Sequence, residues 1–208
     1  MNNPVKQLTR AAASAAVLVL LAVLPAISVY IDLKILDNGI GEISVTEISQ
    51  ESMLLASAIM FFVGARRTPA SRGFLLLAAG FFSCLFIRET DWFLDNIWHG
   101  FWVYPASLMA LGCMLAARFA CAGSTLQPLA DFTGSRPYLF ILFGLITLLI
   151  LSRTFGSGNL LWNHLLPEDY AFGFKTAIQE GLELYSYSLI FYGSCLFAAS
   201  GFNSQKHQ

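Results

Sequence analysis

The densest group of titratable side chains lies between residues 88 and 99. Arg88, Asp91, Asp95 and His99 follow one another at spacings of three or four residues. If the helix of the adjoining membrane span continues through them, these spacings place all four side chains on one face. Carboxylates beside an imidazole are suited to acid–base catalysis or to metal binding. An ordinary loop at the membrane interface, where tryptophans form an aromatic belt and the charges face water, explains the same composition.

A second candidate is Glu51, which follows Glu47 by one helical turn. The apolar run around it predicts that Glu51 lies inside a membrane span. An acidic residue at the centre of a span costs about 2.5 to 3.5 kcal/mol and less near the interface. Such a side chain must face the helix bundle and find a partner there. If the span begins later, Glu51 is a loop residue. With Asp91, Asp95 and His99 it completes the set of candidate catalytic residues.

The third candidate lies at the start of the last apolar run. Glu180, Glu183 and Tyr187 share one helical face at spacings of three and four residues. Two carboxylates three residues apart repel each other mildly. We therefore expect a cation, a proton or an arginine between them, and Arg88 and Lys175 are the available charge partners. A structural salt-bridge network explains this pattern as well as a ligand does.

These carboxylates and imidazoles together are candidate ligands for a metal ion. Carboxylates and imidazoles bind divalent ions such as zinc, manganese or iron. The chain contains no HExxH motif, and its three histidines are too few for a di-iron membrane oxygenase. A haem held by His99 and His164 is not favoured, and the four cysteines show no CxxC spacing, so they are expected to be packing residues. The candidate metal ligands are Asp91, Asp95, His99, His164, Glu180 and Glu183.

Composition determines which kind of element positions these residues. Of the 208 residues 56% are hydrophobic and 12% are charged, whereas soluble domains carry about 25% charged residues. Uncharged runs of about 20 residues are long enough to cross a bilayer. The net charge of −1 gives no basic field for nucleic acid. The sequence predicts an all-α, polytopic membrane helix bundle in contact with lipid.

Six membrane spans are predicted within a single membrane domain covering residues 1–208. No internal repeat and no nucleophile or P-loop motif is recognisable. The first apolar run is longer than the 7 to about 15 residues of a signal-peptide core, so an uncleaved first span is favoured over a cleaved one. The spans are roughly 11–31, 47–65, 73–91, 100–119, 137–153 and 181–200.

Basic residues orient this bundle, because lysine and arginine are enriched in cytoplasmic loops. Eight of the twelve lie on one side, and the basic turn 66–72 is the densest group among them. That side is expected to be cytoplasmic, and an even number of spans places both termini there. Twelve of the thirteen acidic residues, all except Asp131, then lie at the outer, periplasmic face of a bacterial inner (plasma) membrane.

Three functions fit a bundle with an acidic, aromatic-rich outer site. The favoured one is an accessory or assembly component that binds another membrane protein, since the chain is small and lacks catalytic motifs. A membrane-embedded enzyme would act on a lipid or lipid-linked substrate at the outer face, with metal assistance or without it. A proton- or cation-coupled carrier would use Glu51, Glu180 and Glu183 as its relay.

Overall fold

Helices provide all the regular structure in the described part of the chain. The computed structural model describes residues 4–37, 40–41 and 43–202, and only the backbone at 168 and 169. No strand occurs within those ranges. The predicted all-α class is therefore confirmed.

The helices follow one another with short connections, and several continue into a wider π-helical turn. In chain order the α-helices are α1 (Pro4–Tyr30), α2 (Val45–Arg67), α3 (Arg72–Glu89), α4 (Asp91–Leu94), α5 (Val103–Leu115), α6 (Leu126–Thr133), α7 (Arg136–Ile146), α8 (Arg153–Phe155), α9 (Asn163–Leu165) and α10 (Glu168–Ala199). π-Helical turns occur at Ile31–Ile35, Ala116–Ala120, Thr147–Ser152 and Gly158–Trp162, and 3-10 turns at Pro69–Ser71 and Ala122–Ser124.

Local sequence explains several helix boundaries. Pro137 stands at the beginning of α7, where its fixed φ suits a helix and its missing N–H leaves no hydrogen bond unmade. Arg66 and Arg67 end α2, where positive charge interacts favourably with the helix dipole. The Thr90 hydroxyl donates hydrogen bonds to the Phe86 and Ile87 carbonyls at the end of α3, 3.1 and 3.2 Å away.

Five helical segments within the described residues are long and apolar enough to cross a membrane. Each overlaps one of the first five predicted spans. They are Pro4–Ile35, Val45–Arg67, Pro69–Glu89, Val103–Ala120 and Arg136–Phe155. The described part of the chain thus supports a membrane protein of several spans.

Helix α10 contains the sixth predicted span but does not belong to that group. It is 32 residues long, and Glu183 with several serines and tyrosines lowers its hydropathy. Leu184, Tyr187 and Ile190 on this helix are nevertheless at most 1% exposed. A helix enclosed by protein needs less apolar surface than one that faces lipid, so burial explains why this segment is polar.

The chain divides into two compact units, Met1–Glu47 with Leu148–Tyr185 and Ile48–Thr147 with Ser186–Gln208. The organisation of 1–208 as one membrane domain stays a prediction. In the first unit, α1 is mostly exposed and buries Pro25 and Ser28. Its valine and leucine side chains therefore form an apolar surface that suits a lipid environment.

The second unit has an aromatic core. The rings of Phe61, Phe74, Phe82, Phe132 and Phe197 lie with neighbouring centroids 4.7 to 6.1 Å apart. Tilted and edge-on rings at such distances attract one another in addition to burying apolar area. This core joins α2, α3, α6 and the last part of α10.

Glycines bring α7 and α10 into backbone contact in the second unit. A methyl group at Gly144 would come within 2.7 Å of the Ser186 carbonyl oxygen, and one at Gly193 within 2.9 Å of the Pro137 carbonyl oxygen. Each helix thus presents a glycine where the backbone of the other passes. Close approach through small residues is a common way for membrane helices to associate.

Candidate functional site

The segment 88–99 does not form one continuous helix. Helix α3 ends at Glu89, Asp91 begins the single turn of α4, and the chain then turns at Gly100 with a φ of +84°. The shared face expected for Arg88, Asp91, Asp95 and His99 depends on an unbroken helix, so that condition is not met. These residues lie at the end of a helix and in the turns after it.

Asp95 and His99 form a pair within these turns. Nδ1 of His99 lies 2.8 Å from Oδ2 of Asp95, and the Gly100 backbone N–H donates to Oδ1 at 2.8 Å. The His99 side chain is 100% exposed. An imidazole held by a carboxylate has the geometry of a positioned base, but full exposure to water weakens the electrostatic attraction within the pair.

Arg88 and Glu89 belong to a more enclosed group. Arg88 forms an ion pair with Glu89, whose side chain is only 7% exposed. The Tyr187 hydroxyl donates to the same carboxylate at 2.8 Å, and Tyr187 is 1% exposed. Since Glu89 ends α3 and Tyr187 lies on α10, this hydrogen bond connects two helices. Hydrogen bonds to a buried charged group are among the strongest in proteins.

Sequence reasoning singled out Arg88 and Tyr187 but did not predict their connection through Glu89. The residues bonded here are 98 positions apart. A spacing rule for one helix cannot detect such a pair. The only local signal was an arginine beside a glutamate at the end of an apolar run.

Glu51 lies half-buried on α2. Its Oε1 accepts a hydrogen bond from the indole N–H of Trp92, 3.4 Å away in an exposed position. This long, solvent-accessible contact connects α2 with α4 and contributes little to stability. Asp91, which begins α4, is also half-buried.

Asp32, in the first unit, is the most buried carboxylate among the described residues, at 0% exposure. Its two oxygens accept from the Val45 N–H at 2.7 Å, the Thr46 N–H at 3.0 Å and the Thr46 hydroxyl at 2.6 Å. Helix α2 begins at Val45, so this carboxylate caps its N-terminus. A negative charge there satisfies otherwise unpaired N–H groups and interacts favourably with the helix dipole.

A local sequence signal marks the same helix start. The Glu47 N–H donates to the Ser44 hydroxyl at 3.1 Å, which is one half of a capping box. Ser44 and Glu47 therefore reveal where α2 begins. They do not reveal that Asp32, more than ten residues upstream, supplies the charged cap.

Glu183 is a second buried carboxylate of the first unit, at 3% exposure. It accepts from the Ser152 hydroxyl at 3.1 Å and from the Gln179 side-chain amide at 3.2 Å. The Ser152 contact joins the π-helical turn Thr147–Ser152, which continues α7, to α10. A carboxylate so enclosed requires hydrogen-bond donors, because an unpaired charge away from water is costly.

The other predicted residues of the first unit are less enclosed. Glu180 is half-buried on α10, and His164 is exposed on α9. The ammonium of Lys175 lies 5.2 Å from the centroid of the Phe172 ring, a cation–π geometry. Asp91, Asp95 and His99 belong to the second unit, whereas His164, Glu180 and Glu183 belong to the first.

A metal centre at these residues stays a prediction. Within residues 4–37, 40–41 and 43–202 there is no group of three or more His, Cys, Asp or Glu side chains placed to hold a metal ion. Hydroxyl, amide, indole, guanidinium, imidazole or backbone N–H groups instead bind the carboxylates of Asp32, Glu51, Glu89, Asp95 and Glu183. The arrangement suits structural connections between helix ends.

Comparison with known proteins gives no relative from which a function could be transferred. No protein-family model, curated protein or solved structure matches the chain. The function is therefore argued from the side-chain geometry of the chain itself.

Proposed function

We propose that the chain is a non-catalytic accessory component of a membrane system. The observation that carries this proposal is that its more buried acidic side chains serve as hydrogen-bond acceptors within their own fold. Asp32 caps α2, Glu89 binds Tyr187, and Glu183 binds Ser152. Acidic groups with such partners hold helix ends together and have no need of a substrate to explain them.

The proposed topology has six spans, with both termini on the cytoplasmic side of an inner membrane. Five of the spans are the long apolar helices. The sixth is the second half of α10, whose polar composition agrees with its burial, as at Ser186, Ser188 and Ser194. Six spans place both ends on the side of the basic turn 66–72, as the distribution of lysine and arginine favours.

Helix α1 is the surface that the proposal assigns to a partner protein. Only 11% of its most apolar stretch is buried, which is the lowest share among the five apolar segments. Val19, Leu20 and Ile27 are all more than half exposed. A helix bound so lightly to its own protein offers a full face to a neighbouring membrane helix.

A crosslinking experiment in intact membranes tests this assignment. A photoreactive residue would replace Leu20 on α1 or, as a control of equal exposure, Leu108 on α5; these leucines are 68% and 73% exposed. We expect one protein adduct of discrete mass from position 20 and none of that mass from position 108. Identical adduct patterns at both positions would contradict a docking face on α1.

A second experiment separates an accessory role from an enzyme. Variants Asp91→Asn and His99→Gln would be compared with the wild type for folded amount and for rescue of a strain that lacks the protein. An accessory component should keep both properties in both variants. Loss of rescue with an unchanged folded amount would identify Asp91 or His99 as reacting groups and would favour the enzyme.

A proton- or cation-coupled carrier is a second candidate, and Glu183 favours it. This carboxylate is buried in the predicted last span and binds a hydroxyl and an amide, groups that accommodate it either protonated or charged. In liposomes with an internal pH dye, a carrier would show proton flux that Glu183→Gln abolishes and Glu180→Gln leaves largely intact. Equal dye response with and without wild-type protein would exclude proton flux.

A further inference from the structure

An apolar cavity in the second unit follows α3 from Phe74 to Phe82 and α7 from Tyr138 to Leu145. Its volume is about 270 Å³. The wall is formed almost entirely by aromatic and aliphatic side chains of α2, α3, α6 and α7, including Phe74, Phe81, Phe132 and Tyr138. Such a cavity offers almost no polar surface that would retain water, so an apolar occupant is expected.

A second cavity, of about 440 Å³, shares Leu77 of α3 with the first. Leu77, Met114 and Leu126 contribute its apolar wall, and the exposed Arg118 also lines it. The Arg118 guanidinium carbon lies 5.5 Å from the centroid of the Phe119 ring. A fixed positive charge thus stands beside an apolar cavity.

Helix α6 shows at which depth the two cavities lie. Leu126 lines the second cavity, whereas Leu129 and Phe132 line the first. On its polar side the Gln127 amide donates to Asp131 at 2.8 Å. A short amphipathic helix between two apolar spans lies at the boundary of headgroups and acyl chains. The cavities therefore face the acyl region directly beneath the headgroups.

We propose that these two cavities hold the acyl chains of one anionic phospholipid, with its phosphate bound by Arg118. Guanidinium groups bind phosphate oxygens through paired, charge-assisted hydrogen bonds. Arg66, Arg67, Arg72 and Arg136 lie at the same helix ends of this unit and add attraction for an anionic headgroup. The positive charge of these arginines and the position of the cavities beneath the headgroups thus both favour an anionic phospholipid.

The chemistry of the two linings argues for a lipid as occupant. The first cavity is almost wholly apolar, and the second places the Arg118 guanidinium at its edge, as an acyl chain with an anionic headgroup requires. A flexible acyl chain fits a narrow cavity of this kind. The inference is independent of the accessory role proposed above and requires only insertion in a membrane.

Native mass spectrometry tests this lipid site. Protein would be released from nanodiscs that contain equal amounts of phosphatidylglycerol and phosphatidylcholine. We expect the wild type to retain one phosphatidylglycerol with about a tenfold preference, the ratio that corresponds to 1.4 kcal/mol. Arg118→Gln should reduce this preference to nearly one. Arg153→Gln removes an exposed arginine on α8 that lines neither cavity and should behave as the wild type.

A cavity-filling variant tests the acyl part separately. Ala122 is exposed and lines the second cavity, whereas the exposed Ala130 lines neither. Ala122→Trp should lose the retained lipid, and Ala130→Trp should keep it, both at an unchanged unfolding midpoint.

Three results would overturn the lipid site: equal retention by wild type and Arg118→Gln, lipid retained by Ala122→Trp, or a lipid-free dimer of this chain. A missing crosslink at position 20 would count against the accessory role and leave the lipid site standing.

Discussion

The segment 88–99 and the carboxylate Asp32 show that the density of titratable side chains along the sequence does not follow their burial in the fold. The first is the densest titratable group in the chain, yet its most distal member, His99, is fully exposed. Asp32 lies in a sparser stretch, with Lys34 and Asp37 as its nearest charged neighbours in sequence, yet it is fully buried and holds the beginning of α2 with three hydrogen bonds. Density of charge along the sequence therefore does not indicate where charge matters for the fold.

The difference has a physical cause. Asp95 and His99, at the far end of the segment, reach water more easily and need only local partners. A single carboxylate beneath a helix N-terminus loses its hydration and must obtain every hydrogen bond from the protein. Its contribution to stability is consequently larger. The following predictions test this contrast in order of expected effect.

The largest effect is expected for Asp32→Ala. The substitution leaves two backbone N–H groups of α2 and the Thr46 hydroxyl without their acceptor, so the free energy of unfolding should fall by about 3 kcal/mol. Reversible unfolding in mixed micelles of mild detergent and dodecyl sulfate measures this change. Asp91→Ala, in the dense segment, is the matched control and should lower the unfolding free energy by less than about 0.5 kcal/mol.

Equal losses for Asp32→Ala and Asp91→Ala would remove the contrast between the two regions. Asp32→Asn refines the measurement, since its amide keeps one acceptor oxygen without the charge. An intermediate loss would separate the hydrogen bonds from the interaction of the charge with the helix dipole.

Tyr187→Phe should have the next largest effect. It removes the hydroxyl that donates to Glu89 and keeps the buried ring, so a loss of about 2 kcal/mol in unfolding free energy is expected. Tyr104→Phe, at a residue 63% exposed, is the control and should have no measurable effect. If Tyr187→Phe unfolds like the wild type, Glu89 is satisfied without α10, and the connection between α3 and α10 is not a stabilising one.

The sequence predicted the general fold and part of the candidate site, and the limits have clear causes. Hydropathy located the apolar spans because the period and length of apolar runs are local properties. The sixth predicted span, in α10, stays a prediction, because buried polar residues lower the hydropathy of that helix. The shared face of residues 88–99 was conditional on a continuous helix, and the breaks after Glu89 and at Gly100 remove that condition.

Partners that are distant in sequence could not be predicted at all. Asp32 finds Thr46 after a turn of the chain, and Glu89 finds Tyr187 across most of it. A single sequence contains no signal for such pairs, because their meeting depends on how all the intervening helices pack. Serine and threonine near an expected helix start were the available hint for α2, and they indicated the cap position only.

Gly100→Ala should cost less than either buried change. Gly100 has a φ of +84°, and a methyl group there would meet nothing within 4 Å, so the penalty is conformational alone. We expect a loss of about 1 kcal/mol in unfolding free energy, the usual cost of a left-handed conformation for a residue with a Cβ. Gly123→Ala is the control, since its methyl group also meets nothing within 4 Å and its φ is not positive. Equal values for both variants would mean that the turn after α4 adapts freely.

The smallest effect is expected for His99→Gln, and it tests the dense segment most directly. Its ring is fully exposed, and Asp95 retains the Gly100 N–H as a partner when the imidazole is gone. The unfolding midpoint should therefore equal that of the wild type at both low and high salt, because an exposed pair in water is weak and screened. A lower midpoint at low salt alone would show that the pair stabilises the turns after α4. The dense segment would then share the structural role of Asp32, and exposure would no longer separate the two regions.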